Sequence, residues 1–256
     1  MKLLDLTLPT PAENLACDEA LLDWREENGG TGFQPVSVNE GVLRFWESRE
    51  TFVVVGYANK VATEVNVAAC EEMKIPIFRR CSGGGTVLQG AGCLNYALIL
   101  RIREKSPLAG ISSANQFIME RNRAAIETLL PEFKIQNSKF KTSISGHTDM
   151  AIGGLKFSGN SQRRRKRFLL FHGTFLLNYN LALVGELLPM PSKQPDYRGN
   201  RSHEDFLANL KLSAEPVKAA LAKTWDANED LSNPPLQLIS KLAGEKYSTR
   251  EWNFKF

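Results

Sequence analysis

Three short stretches of this 256-residue chain hold residue types able to act on an anion or an acyl group. The first is Arg79-Arg80-Cys81-Ser82-Gly83-Gly84-Gly85-Thr86. Consecutive glycines let the backbone approach a ligand and leave N–H groups free to face negative charge. The two arginines can neutralise a carboxylate or a phosphate. The stretch lacks the Gly-Lys-Ser/Thr of a P-loop and the spacing of a dinucleotide fingerprint. It also reads as a glycine-rich hairpin between strands. The second stretch is Gly153-Gly154-Leu155-Lys156-Phe157-Ser158-Gly159-Asn160. A lysine between two glycine turns is a compact cation on a long stem, suited to charge developing on a phosphate or carboxylate. The plain alternative is a solvated strand lysine. The third is Phe171-His172-Gly173-Thr174, inside an apolar run. A histidine there is either a hydrogen-bonded core residue or a catalyst.

The elements that must position these residues follow from periodicity. Apolar residues at helical spacing predict a helix over 11–28, stopped by Gly29 and Gly30. A second long helix is expected over 113–130, ended by Pro131, and a short one over 66–73. β-branched and aromatic runs predict strands at 42–46, 52–56, 75–80, 94–102, 148–153, 155–158 and 168–177. The C-terminal part reads as helical and polar. Strands separated sometimes by helices and sometimes by tight turns indicate an α+β fold, a mixed sheet flanked by helices. No repeat and no linker marks a boundary, so residues 1–256 are expected to form one domain. Residues 196–256 would be its helical C-terminal extension.

Bulk properties narrow the function. With 43% apolar and 23% charged residues, disordered and low-complexity classes are excluded. The net charge is +4, and Arg163, Arg164, Arg165, Lys166 and Arg167 supply more than all of it. One basic cluster on a near-neutral chain does not make a nucleic-acid coat, and the run lacks interleaved aromatics. No apolar run is long enough to span a bilayer. The N-terminal MKLLDLTLPTPAEN, with Asp5, does not read as a secretory signal. The four cysteines, Cys17, Cys70, Cys81 and Cys93, fit no zinc spacing. These features predict a cytoplasmic protein with reduced thiols.

Taken in order, the motifs resemble the lipoate–protein ligase family of the lipoyl/biotinyl protein ligase superfamily. Asn14 to Leu21 resembles the family's first helix. Arg79 to Gly85 resembles its arginine–glycine loop, with Leu94-Asn95-Tyr96 following. Asp149 with Lys156 to Ser161 resembles its lysine motif, and His172-Gly173-Thr174 the strand after it. Pro195-Asp196-Tyr197-Arg198 through Arg201-Ser202-His203 is similar to a segment of shorter relatives.

The resemblance implies a fold of the lipoyl/biotinyl ligase catalytic-domain type and a two-step reaction. Lipoate, or octanoate, attacks the α-phosphate of ATP to give an acyl-adenylate. A lysine of a lipoyl carrier domain then takes the acyl group. That carrier would be an acyltransferase subunit or a glycine-cleavage H-type protein. Lys156 would be catalytic, stabilising charge in both steps. Arg79 and Arg80 would balance the anionic substrate. Ser82, Gly83, Gly84 and Gly85 would cradle it, with Asn95, Gly159 and Asn160 nearby. Asp149, His172, Gly173 and Thr174 would complete the substrate and nucleotide contacts. Mg2+ would arrive with ATP, and no residue is assigned as a metal ligand of its own.

This chain departs from the pattern in two ways. Many relatives carry a histidine where Gln89 precedes Gly90-Ala91-Gly92. Full-length ligases often carry an accessory domain, so either a separate accessory chain supplies that function or the protein does without it. The competing readings are an octanoyl- or lipoyl-transferase that needs no ATP, and a non-catalytic lipoyl-binding module. The transferases of the superfamily use a cysteine, three residues before the His-Gly pair or just upstream of the lysine motif. Leu169 occupies the first position, and no cysteine follows Cys93. That absence favours the ligase. The basic run is expected in a hairpin turn, either solvated or steering an acidic carrier domain.

Overall fold

The computed structural model describes residues 1–28, 41–130 and 142–256. Gly29, Gly30 and Pro131, expected to end two helices, lie outside the described residues.

The first long element starts as its sequence dictates. Thr10 and Glu13 form a reciprocal capping box, Thr10 N donating to Glu13 Oε2 at 2.9 Å and Glu13 N to Thr10 Oγ1 at 3.2 Å. Pro11, which needs no N–H partner there, opens helix α1 (Pro11–Asn28). Strand β1 (Lys2–Asp5) precedes it, and β2 (Val42–Trp46) and β3 (Phe52–Val55) come after the undescribed segment. Two short helices, α2 (Val61–Glu64) and α3 (Val67–Glu72), lead to β4 (Ile77–Arg79), β5 (Val87–Gln89) and the long β6 (Cys93–Arg101). Helix α4 (Ile111–Glu127) is followed by four antiparallel strands: β7 (Thr142–Ser145), β8 (Asp149–Ile152), β9 (Leu155–Arg164) and β10 (Phe168–Leu176). The remainder holds α5 (Ala182–Leu187), α6 (His203–Phe206), α7 (Ala214–Thr224), the two-residue β11 (Glu229–Asp230), α8 (Leu236–Leu242) and α9 (Arg250–Asn253).

The strands form two sheets. The larger runs β11-β1-β2-β6-β10-β9-β8-β7, and the smaller β4-β3-β5. β1 pairs parallel with β2 and β11, and β3 with β4; the other pairs are antiparallel. The expected mixed-sheet α+β class holds. Both faces of the large sheet are covered, which is why β6 reads as a continuous apolar run rather than an alternating one. Leu94, Tyr96, Leu98 and Leu100 join the cluster of α4 and α7, while Ala97 and Ile99 join that of α1 and α8. Leu21 and Leu22 of α1 are fully buried, each stabilising the fold by about 1.5–3 kcal/mol. A third apolar cluster ties the small sheet to α5.

Two expectations needed adjusting. β9 continues to Arg164 instead of stopping at Ser158, because pairing with β10 from Phe175 to Leu169 carries its glycine and polar residues along. The short strands β1, β5, β7 and β11 lack a run long enough to signal themselves. Among the described residues, no helix is long and apolar enough to cross a membrane.

Candidate active site

The sheet register assembles the site. Asp149, Gly159, Thr174, Asn95 and Trp46 stand side by side across β8, β9, β10, β6 and β2. One step away, Ser161, His172, Ala97 and Arg44 form a second row across β9, β10, β6 and β2. Neighbouring strands lie roughly 4.8 Å apart. A cavity of about 850 Å³ lies against this surface, between the large sheet and residues of the small one. Of the residues singled out in the sequence, it is lined by Lys156, Arg80, Gly84, Gly85, Asn95, Asp149, Gly159, Asn160, His172, Gly173 and Thr174. The chain has three histidines, His147, His172 and His203, and all three line it.

Arg79, Ser82 and Gly83 are close by but do not line the cavity. Arg79 points away and is fully committed. Its guanidinium donates to the carbonyls of Gly56, Tyr57, Asn59, Trp252 and Asn253. It clamps the α9 region to the small sheet rather than facing a ligand. Arg80 folds beneath its own loop. Nη2 donates to Gly83 O at 2.6 Å and Gly85 O at 2.8 Å, and Nε to Ser82 Oγ at 3.1 Å. Burial lowers its pKa to about 10, so it stays a cation at neutral pH. Gly84 takes φ +85° in this turn, where a side chain is disfavoured.

A buried chain of polar contacts joins the loop to α1. His172 Nε2 lies 2.6 Å from Ser82 Oγ, and His172 Nδ1 2.9 Å from Asp18 Oδ2. Asp18 Oδ1 meets Arg44 Nη1 at 2.5 Å, with both side chains buried. Burial opposes ionisation of Asp18, but Arg44 and the His172 hydrogen bond outweigh it and hold the carboxyl below its ordinary range. The order Ser–His–Asp matches that of hydrolase triads. The access does not: Ser82 is 1% exposed, lies off the cavity wall and already accepts from Arg80. The chain fixes the loop and the His172 ring.

At the other end of the row, Lys156 Nζ is 2.8 Å from Asp149 Oδ1. Tyr197 Oη donates to Asp149 Oδ2, also at 2.8 Å. Asn160 serves the fold more than the cavity. Its Oδ1 accepts from Tyr96 Oη at 2.6 Å and its Nδ2 donates to Thr148 O at 2.7 Å. Gly173 is required beside it, since a Cβ there would stand 1.8 Å from Asn160 Oδ1. Gln89 Nε2 donates to Thr174 Oγ1 at 2.7 Å, and Thr174 Oγ1 to Asn95 Oδ1 at 2.6 Å, linking the two sheets.

No thiol faces the cavity. Cys17, Cys70, Cys81 and Cys93 are free, buried and absent from its lining. Burial pushes Cys17 up to about 11, Cys81 and Cys93 up to about 12, and Cys70 upward as well. The basic run spans the end of β9 and the turn to β10, as expected of a hairpin, and two of its five cations face carboxylates. Arg165 Nη2 lies 2.8 Å from Asp23 Oδ1 and 3.6 Å from Glu19 Oε1, and Arg167 Nε 3.6 Å from Glu26 Oε1.

Residues 10–224 match the model of the lipoyl protein ligase A/B catalytic domain. The protein belongs to this family. Within it, the chain is 26% identical over 272 residues to the octanoyltransferase LipM of Halalkalibacterium halodurans, covering 96% of this chain and 95% of that one. The bi-partite lipoate protein ligase of Thermoplasma acidophilum, solved with its E2 lipoyl domain, superposes with a TM-score of 0.77 at 23% identity, covering 99% of this chain and 95% of the other. A lipoate-protein ligase A bound with ATP gives the same TM-score at 24% identity, covering 99% and 98%. The family thus embraces ligases and transferases, and the fold is that of its ligases.

Sequence reasoning overlooked Arg44, Trp46 and the tyrosine at Asp149. Arg44 had a signal, a charge within an apolar strand that demands a buried partner. Tyr197 belongs to a stretch noted only for its likeness to shorter relatives.

Proposed function

We propose that the protein is an ATP-dependent ligase that converts lipoate or octanoate to its acyl-adenylate and passes it to a lysine of a lipoyl carrier domain. The observation that carries this reading is the absence of any thiol from the cavity wall, in a chain whose four cysteines are all buried and hard to ionise. A transferase of this superfamily needs a thiolate to carry the acyl group. Adenylation needs no nucleophile from the protein, only cations where charge develops.

In the first step a carboxylate oxygen bonds to the α-phosphorus and the bond to pyrophosphate breaks. Lys156 leaves Asp149 and meets the charge on the α-phosphate. In the second step the carrier amine bonds to the acyl carbon, AMP leaves, and the amine sheds a proton. Lys156 then faces the acyl oxygen. Gly84 and Gly85 offer a wall without side chains, and Arg80 keeps that wall in shape. Mg2+ accompanying the nucleotide would rest on its phosphates. The chain acts as one catalytic unit.

The names of curated relatives such as the LipM octanoyltransferase favour a second reading, acyl transfer from a carrier thioester without ATP. One assay separates the two. Wild-type protein with lipoate or octanoate and ATP is expected to release pyrophosphate, and Lys156→Ala to release almost none. Release of none by the wild type, with octanoate moving from an acyl-carrier thioester, would establish the transferase instead.

A further inference from the structure

The stretch from Pro195 to Leu207 plays no part in the reaction just outlined, yet it is fastened to both strands that carry its charged pair. Asp196–Arg198 forms a 3-10 turn ended by Gly199 at φ 59°. Tyr197, at its centre, packs its ring 5.2 Å from that of Phe206. Arg201 Nη2 donates to Gly154 O at 3.1 Å and to Tyr197 O at 2.8 Å, binding the turn to the β8–β9 connection. Ala208 N donates to Lys156 O at 2.9 Å, binding the segment's end to β9. Tyr197 Oη is therefore held in place when it donates to Asp149 Oδ2 at 2.8 Å. Burial and the Asp149 charge push the Tyr197 hydroxyl pKa up, so it remains a donor.

We propose that Tyr197 is a positioning residue for Lys156, acting through Asp149. The proposal rests on Lys156 being the reacting cation. With Oδ2 taken by Tyr197, the Asp149 carboxylate cannot turn away and presents Oδ1 to the ammonium at 2.8 Å. Gly159 leaves the room this needs, since a Cβ there would stand 3.0 Å from Lys156 Nζ. The lysine thus waits at the cavity wall on a carboxylate whose charge is already shared, and a substrate phosphate can draw it off.

Tyr197→Phe tests this, because it keeps the ring against Phe206 and removes only Oη. Turnover is expected to fall about tenfold or more, the usual effect of losing a hydrogen bond to a charged group, with KM for the acid unchanged. Lys156, less firmly held, is expected to react several-fold faster with trinitrobenzenesulfonate, read by peptide mapping of the free protein. In an Asp149→Ala background, adding Tyr197→Phe should change neither quantity. Equal loss of turnover in both backgrounds, or unaltered labelling of Lys156, would overturn the proposal. If the wild type releases no pyrophosphate, the ligase reading fails, while the labelling cycle still decides the role of Tyr197.

Discussion

Asp18 Oδ2 holds His172 Nδ1 at 2.9 Å across 154 residues of sequence. The same carboxylate is the ion partner of Arg44, whose side chain is wholly buried. Removing one member of such a pair strands the other charge, at a cost of about 3–5 kcal/mol. Asp18→Asn should therefore lower the unfolding free energy by about that much, measured in urea at neutral pH. Acid unfolding reports on the same carboxylate. The folded-state pKa of Asp18 is depressed. Its stabilisation is present above the ordinary carboxylate range and is lost as pH falls through the folded value. Wild type should lose this stability in acid, and Asp18→Asn should show a flatter profile there.

Lys156 and Asp149 pair at the cavity wall, and Asp149 keeps its hydrogen bond from Tyr197 when the lysine is removed. Lys156→Ala should keep a near wild-type melting temperature while pyrophosphate release falls by about 10²–10³, the effect of removing a group aimed at developing charge. Lys156→Arg should not restore it, because a planar guanidinium cannot take the place of a compact ammonium beside Gly159. Recovery of more than half the rate by arginine would mean that positive charge alone suffices.

Much of this arrangement could be read from the sequence, and what could not has a physical reason. Lys156, His172 and the glycine loop announce themselves because glycine turns, and polar residues within apolar runs, are costly unless used. The ordered motifs point to the family, and the mixture of helices and tight turns between strands to the mixed sheet. Arg79 and Arg80 look equivalent as text, but Arg79 ends β4 with its guanidinium on the α9 region, and Arg80, one residue on, turns beneath the loop. Local pattern does not show which arginine faces what. The end of β9 was misjudged because Gly159 and Asn160 are poor strand formers, held there by pairing with Thr174 and Gly173. Tyr197 was invisible as a site residue because its partner, Asp149, lies 48 positions away.

The glycines separate into required and permissive positions. At Gly173 a Cβ would lie 1.8 Å from Asn160 Oδ1 and 2.8 Å from Gly159 O. Asn160 cannot yield, since Tyr96 and Thr148 hold both ends of its amide. Gly173→Ala should cost about 1–3 kcal/mol or more, seen as a lower melting temperature. Gly83 has nothing within 4 Å of a built Cβ, so Gly83→Ala should melt close to wild type. Equal effects at the two positions would show that the Asn160 contact does not constrain the strand.

The basic hairpin makes the last prediction. Arg165 faces Asp23 at 2.8 Å and Glu19 at 3.6 Å, and Glu26 accepts from the backbone N–H groups of Arg167 and Phe168 at 3.0 Å. Helix α1 thus uses three of its carboxylates to dock the β9–β10 turn, and Asp18 of the same helix reaches His172 inside. Neutralising the whole run would disturb this packing together with any carrier docking, so single substitutions are the sharper probe. Arg165 is 31% exposed, and solvent screening limits its pair with Asp23 to about 0.5–1 kcal/mol. Arg165→Ala should destabilise by that amount, and by much less in an Asp23→Ala background, as a double-mutant cycle by urea unfolding will show. No effect of Arg165→Ala on stability in either background would place the role of Arg165 outside the fold and return it to the docking surface, and an undiminished effect would assign it to Glu19 instead.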